Sequence, residues 1–297
     1  MVATVGDHDA ADGAAKNQAG GPGRGQSAHG PDTTGPPLGY PAAVDILDFA
    51  AVTHRGTVKQ VNEDSILADS PVFVVADGIS GSNRGDIASQ MVTRAFAELL
   101  ERQDLAPDLV ADTLQRAHAE VMEAQRRDHH DSATTACGAV GMRMGEVAYW
   151  IIFNIGDSRV YRISGNRRHL TQVSVDHSHV QELVEAGVIT EAQAEQHPDR
   201  NVITRAVGAG ERFRPDFWLV PMVNGDRLLL CSDGLLRESE LSAVAEIARS
   251  EEDPERAVRR LLDLALGAGA RDNVSIIVVD VHSQPAQDVP ETGRELG

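Results

Sequence analysis

The chain lacks the features that mark several protein classes. It has two cysteines, Cys137 and Cys231, far apart in the sequence and each within or beside an apolar run. They supply neither a disulfide framework nor a zinc-ligand pair, and a reducing compartment suits them. Aromatic residues make up only 4% of the chain. No apolar stretch approaches the ~18–20 residues of a membrane span. The first 30 residues hold no apolar core of a signal peptide, and no internal repeat is evident. Basic residues are also scarce, 27 against 45 acidic ones, for a formal charge of −18. That balance disfavours nucleic-acid binding, which needs a basic face to displace counterions, and attachment to anionic lipid. These absences together predict a cytoplasmic protein with no nucleic-acid or membrane partner.

What is present is enough for a folded core: 297 residues, 41% of them hydrophobic. Residues 1–48 contain nine of the 27 glycines and five of the 13 prolines and have little periodic apolar signal. They read as a disordered tail, as do residues 284–297. One domain is expected over 49–283. Strands are expected at Asp48–Val52, Ser65–Asp69, Val72–Ala76, Thr134–Met142, Glu146–Ile155, Arg159–Ile163, Arg212–Val220, Arg227–Ser232 and Val274–Asp280. Helical spacing runs from Ile87 to Leu99 and from Leu109 to Val121. Two short helices are expected at Ser178–Ala186 and after Thr190. A longer one is expected from the cap Asp253 and Pro254 to Gly267. Strands in clusters with helices in pairs predict an α+β layered domain.

Three apolar runs end on a carboxylate beside glycine: Val72–Ala76 before Asp77-Gly78, Trp150–Ile155 before Gly156-Asp157, and Leu228–Ser232 before Asp233-Gly234. A fourth carboxylate, Asp272, opens the run Val274–Val279. One Asp-Gly alone is a tight turn. Four such carboxylates meet at one edge if the last strand runs antiparallel to the others, and buried like charges then need cations. All-oxygen ligands without Cys or His select hard ions, Mn²⁺ or Mg²⁺, and two ions are expected. The Gly78 carbonyl is open to ligate as well. The histidines of Asp176-His177-Ser178-His179 and His129-His130 lack a matching ligand set. His177 is expected to hold a strand end by hydrogen bonds.

Two such ions activate a shared water for in-line attack at phosphorus. A cationic phosphate anchor would come from Lys59 or Arg55, in the string Arg55-Gly-Thr-Val-Lys-Gln-Val-Asn-Glu-Asp64. Glu63 and Asp64, with Asn273, are expected around the ligands, holding waters and orienting the anchor.

Seven strings in order resemble the metal-dependent Ser/Thr protein phosphatases of the 2C type (the PPM family), in their bacterial form. They are Arg55–Ser65, Val74–Gly81, Thr134–Ala136, Asn154–Tyr161, Leu170–Ser178, Gly225–Leu235 and Arg271–Val274. The resemblance implies a four-layer α-β-β-α sandwich of two antiparallel sheets flanked by helix pairs. It also implies direct hydrolysis of phosphoserine and phosphothreonine by a metal-bridging water, without a phosphoenzyme. Asp77 would bridge both metals, Asp233 and Asp272 would complete one, and Gly78 and Glu63 would serve the other. Asp157, with Asp233, matches the position of a third, weaker metal. Residues from Asp176 to about Asn201 correspond to the family's flap. The partners implied are phosphorylated proteins, substrates of Ser/Thr protein kinases, met by a monomer.

The chain departs from that pattern at Lys59, where the family usually has Arg, at Ile79-Ser80, which offers no side-chain general acid, and at Leu236-Arg237. Two other readings compete. An acyl hydrolase is suggested by Gly156-Asp157-Ser158, but no Gly-x-Ser-x-Gly elbow supports it. A catalytically weak or silent phosphoprotein-binding module on the same fold would retain the ligands but lose turnover.

Overall fold

The computed structural model describes residues 46–80, 84–129, 131–166, 169–210 and 213–282. The chain divides into two units, Met1–Pro37 and Leu38–Gly297, and the described residues all belong to the second. The expected N-terminal tail lies outside the described residues up to residue 45, and the expected C-terminal tail entirely so. Strand β1 (Ile46–His54) begins inside the segment assigned to the N-terminal tail, because its first residues pair with the end of β12 (Val274–His282).

Two five-stranded sheets form the centre. One has the order β1-β12-β11-β8-β9, with β8 at Arg159–Ile163, β9 at Leu170–Gln172 and β11 at Arg227–Cys231. The other has the order β10-β7-β6-β3-β2, with β2 at Ser65–Asp69, β3 at Val72–Ala76, β6 at Ala136–Met144, β7 at Val147–Ile155 and β10 at Asp216–Pro221. All pairings are antiparallel. The inner faces meet through Phe73, Val75, Trp150, Ile152, Leu228, Leu230, Ile277 and Val279. Alternate residues face outward onto helices. Val72, Val74 and Ala76 pack under α1 (Gly85–Ala97) and α2 (Pro107–Asp128). Leu229, Cys231, Ile276 and Val278 pack under α5 (Leu241–Ser250) and α6 (Pro254–Ala268). Both faces of the inner strands are therefore dry. Unbroken apolar runs result where a half-exposed antiparallel strand alternates. This is the four-layer α-β-β-α sandwich.

Several boundaries differ from the sequence reading. The strand expected over Thr134–Met142 is two, β5 (Ser132–Thr134) and β6, because Thr135 turns its N–H to the Asp77 carbonyl at 2.9 Å. Strand β5 pairs instead with the short β4 (Gly78–Ser80). Helix α6 continues through Gly267 and ends at Gly269, whose φ of 120° suits glycine. Strand β10 starts at Asp216, later than expected. Helix α5 was missed: Glu240 supplies no capping bond, and only Val244, Ile247 and Ala248 are buried.

The segment after Asp176 holds α3 (His179–Glu185), capped by Ser178, and α4 (Glu191–Glu195), capped by the reciprocal Thr190–Gln193 box. His177 fixes its base. Its Nδ1 accepts the Gly156 N–H at 3.2 Å, so Nε2 carries the proton and donates to Asp216 Oδ2 at 3.0 Å. That is the strand-end role expected of it.

Candidate functional site

Strands β3 and β7 are each antiparallel to β6, so they run the same way and deliver Asp77 and Asp157 to one edge. Strand β11 is antiparallel to β12, so Asp233, after the end of one, lies beside Asp272, before the start of the other. The two sheets present these ends to a common cleft. Asp77 feels the charges of Asp64, Asp233, Asp157 and Asp272 together, which places all five carboxylates in one cluster.

Neither Asp-Gly pair is a hairpin turn. Asp77 leads into β4, and Asp233 opens a single 3₁₀ turn over Asp233–Leu235. The glycines serve close approach. A Cβ at Gly78 would meet the Glu63 carbonyl at 2.5 Å and the backbone of Gly85. One at Gly234 would run into the Asn273 carbonyl. Small residues here let separate chain segments touch at the carboxylates.

Hydroxyls and backbone groups orient the cluster. The Asp77 N–H donates to Thr135 Oγ1 at 3.0 Å, and the Asp77 carbonyl accepts from Thr134 Oγ1 at 2.9 Å. Asp64 is buried; its Oδ2 accepts from Ser232 Oγ at 2.8 Å and Ser275 Oγ at 2.7 Å. Glu63 is buried too, and its Oε1 accepts the Gly85 N–H at the start of α1, 3.2 Å away. Asn273 knits the loop from Arg55 to the cluster. Its Oδ1 accepts the Glu63 N–H at 2.8 Å, and its Nδ2 donates to the carbonyls of Arg55 and Val61 at 3.0 and 3.1 Å.

Burial sets the electrostatics. It pushes the Asp77 pKa well above the usual carboxylate range, helped by the charges of Asp64 and Asp233. Burial raises Asp157 to about 7, with Asp233 and Asp176 adding to it. It raises Asp64 to about 6 against the two serine hydroxyls. Burial also raises Asp233, although the Arg237 charge works in the opposite direction. Asp272 alone is lowered: burial is outweighed by the bonds from Lys59 and the Asn273 N–H and by the charge of Arg237.

The cations lie on one side. Lys59 Nζ is 2.8 Å from Asp272 Oδ1. Arg237 donates from Nη1 to Asp272 Oδ2 at 2.6 Å and from Nη2 to Asp233 Oδ2. Arg55 is exposed, and among the described residues its side chain enters no ion pair. The structure thus joins Lys59 directly to the carboxylates, whereas it ties Arg55 to them through its backbone. Sequence reasoning missed Arg237, although its place four residues after Asp233 was the available signal. It also missed the hydroxyls of Thr135, Ser158, Ser232 and Ser275, which nothing in the local pattern distinguishes from ordinary strand-end polar residues.

The donor chemistry suits a hard cation: carboxylates and carbonyls, with no sulfur or imidazole. Three buried oxygens, Oδ1 of Asp64, of Asp157 and of Asp233, have no hydrogen-bond partner. Buried carboxylate oxygens without donors are costly, and a bound cation removes that cost. Among the described residues, no group of three or more His, Cys, Asp or Glu side chains is poised to hold an ion as it stands. Arg237 and Lys59 lie on carboxylate oxygens of Asp233 and Asp272.

Residues 53–266 match the protein phosphatase 2C family. The chain is 37% identical over 243 residues to the serine/threonine protein phosphatase PstP of Mycobacterium tuberculosis, covering 80% of this chain and 45% of that protein. It therefore spans less than half of that relative's length. It is 30% identical over 257 residues to the serine/threonine phosphatase Stp of Listeria monocytogenes, covering 82% of this chain and 97% of that one. The fold superposes on the catalytic domain of PstP solved with two manganese ions, with a TM-score of 0.70 and 30% identity over 80% of this chain and 99% of that one. The chain belongs to the protein phosphatase 2C family.

Proposed function

We propose that the chain is a metal-dependent phosphatase that hydrolyses phosphoserine and phosphothreonine on proteins, without a phosphoenzyme. The observation that carries this reading is the convergence of Asp77, Asp157, Asp233 and Asp272 with buried oxygens that no donor satisfies. Manganese or magnesium would be held by Asp77, the Gly78 carbonyl, Asp233 and Asp272, with Glu63 behind one ion and Asp157 offering a third, weaker position. Ions so held would lower the pKa of bound water and neutralise charge on the phosphoryl oxygens. Asp64 and Asn273 hold the ligands and the Arg55–Glu63 loop in place. Lys59 and Arg55 flank the cleft where the phosphate enters, and Lys59 binds it as a point charge. The folded phosphatase domain is assigned to 49–283, with β1 extending it to residue 46. The catalytically silent alternative is not favoured, because the similar bacterial proteins are named serine/threonine phosphatases and Asp77, Asp157, Asp233 and Asp272 cluster here. No helix among the described residues is long and apolar enough to cross a membrane. On this reading the protein is a cytoplasmic monomer acting on the products of Ser/Thr protein kinases.

The test is release of phosphate from a phosphothreonine peptide with Mn²⁺, and with EDTA as control. Asp77→Ala, Asp233→Ala and Asp272→Ala should each lower kcat/KM by about 100-fold or more. Variants with wild-type, Mn²⁺-dependent rates would sink the assignment.

A further inference from the structure

Arg237 sits where a metal ligand set would be expected to face only metal. The 3₁₀ turn after β11 brings the Arg237 N–H to the Asp233 carbonyl at 2.8 Å, so the side chain folds back over the residue four positions earlier. One guanidinium nitrogen then binds Asp233 Oδ2 and another binds Asp272 Oδ2 at 2.6 Å. The two carboxylates come from different strands, and this one side chain bridges them. With Lys59 on the other oxygen of Asp272, both oxygens of that carboxylate face a cation. Among the described residues no cation pairs with Asp157 or Asp64, and Oδ1 of each, like Oδ1 of Asp233, has no hydrogen-bond partner. Counter-charge in the cluster is therefore uneven, concentrated at Asp233 and Asp272.

A guanidinium is donor-only and always charged. Its charge repels a divalent cation at the facing oxygens of the two carboxylates, and its N–H groups take lone pairs there that the cation would use. We propose that Arg237 is a resident counter-ion for the position between Asp233 and Asp272, one that divalent metal must displace to load the site. The inference rests on the metal-dependent reading above. Arg237 stabilises the metal-free fold and weakens metal binding by the same interaction, because an ion entering between Asp233 and Asp272 must break the pairs that Arg237 makes with them. Its side chain, 32% accessible, has solvent to move into when displaced. The result is a site whose loading follows the free metal concentration instead of retaining the ion permanently.

The experiment compares wild type with Arg237→Met, which keeps the aliphatic stem and removes the charge, and with Arg237→Lys, which keeps one charge and cannot bridge. Metal is stripped with EDTA and the chelator removed. Mn²⁺ binding is then measured by calorimetry, and thermal unfolding is followed with and without Mn²⁺. The expected result is a lower Tm for metal-free Arg237→Met, Mn²⁺ binding about five- to tenfold tighter than wild type, and a larger Tm gain on adding the ion. Arg237→Lys should fall between, and it carries the comparison if the methionine variant does not fold. Equal or weaker Mn²⁺ binding in the variants overturns the counter-ion role. A wild type that binds no Mn²⁺ overturns instead the metal-dependent reading on which it rests, so the two failures are distinct.

Discussion

Thr135 and Ser158 share a hydroxyl-to-hydroxyl hydrogen bond of 2.7 Å. Thr135 Oγ1 also accepts the Asp77 N–H, and Ser158 follows Asp157, so this contact joins the backbones behind two carboxylates on neighbouring parts of one sheet. The bond lies beneath the site and sets its spacing without touching solvent.

Thr135→Val keeps the shape of the side chain and deletes the hydroxyl. The Asp77 N–H loses its acceptor and Ser158 loses its partner. The expected cost is about 1–3 kcal/mol, read as a lower midpoint in urea unfolding. The kcat/KM on a phosphothreonine peptide should fall with it, because Asp77 is no longer held. An unchanged midpoint would show that the network does not matter to the fold.

The raised carboxylates predict an unusual pH dependence for the metal-free protein. Asp157, pushed to about 7, and Asp64, pushed to about 6, hold protons in the fold that they release in the unfolded chain, where carboxylates titrate near ~4. The native state then binds more protons, and stability falls as pH rises from about 4 to about 7. Asp272, held low, contributes with the opposite sign, but its contribution is lost only below about pH 4, outside this window. Unfolding in EDTA should show the decline across pH 5–7.5. Saturating Mn²⁺ should abolish or reverse it, since metal competes with protons for the same oxygens. A metal-free protein that gains stability over that range would contradict the arrangement of charges.

Away from the site, Arg227 predicts a purely structural effect. It is fully buried, and its Nε and Nη2 reach Asp280 at 2.6 Å each. Its remaining donors cap the end of α5 at the carbonyls of Ala248 (2.9 Å), Glu251 (2.5 Å) and Glu252 (3.0 Å). Arg227→Met takes the cation away from a buried carboxylate and the donors away from three carbonyls, at a cost of about 3–5 kcal/mol in chemical denaturation. Turnover per folded molecule should be unchanged at low temperature. A matching loss of kcat would mean that the α5 end communicates with the cleft.

How far the sequence could be read depended on whether a residue's purpose was local. The runs of β3, β11 and β12 were legible because burial on both faces makes them continuous. The carboxylates were legible because each stood at the end of such a run. Thr190 and Asp253 were legible as caps, since capping is settled within four residues. The break at Thr135 was not, because its cause is the Asp77 backbone, far away in the chain. Gly234 looked like part of a turn, yet its lack of a side chain is required by the Asn273 carbonyl, just before β12. Arg237 was seen only as a departure from a pattern; its two carboxylate partners become apparent only when β11 and β12 are side by side. Local chemistry was visible and long-range contact was not.

The division of the carboxylates between layers has a mechanical consequence. Asp77 and Asp157 belong to one sheet, Asp233 and Asp272 to the other, and the distance between them is set by the thickness of the packing between the sheets. Phe73, Trp150, Leu228 and Ile277 are thus the spacers of a caliper whose jaws are the four aspartates. A substitution that swells or thins that filling shifts the jaws without altering any residue in the cleft. In this chain the inner packing is a gauge for the chemistry at its rim.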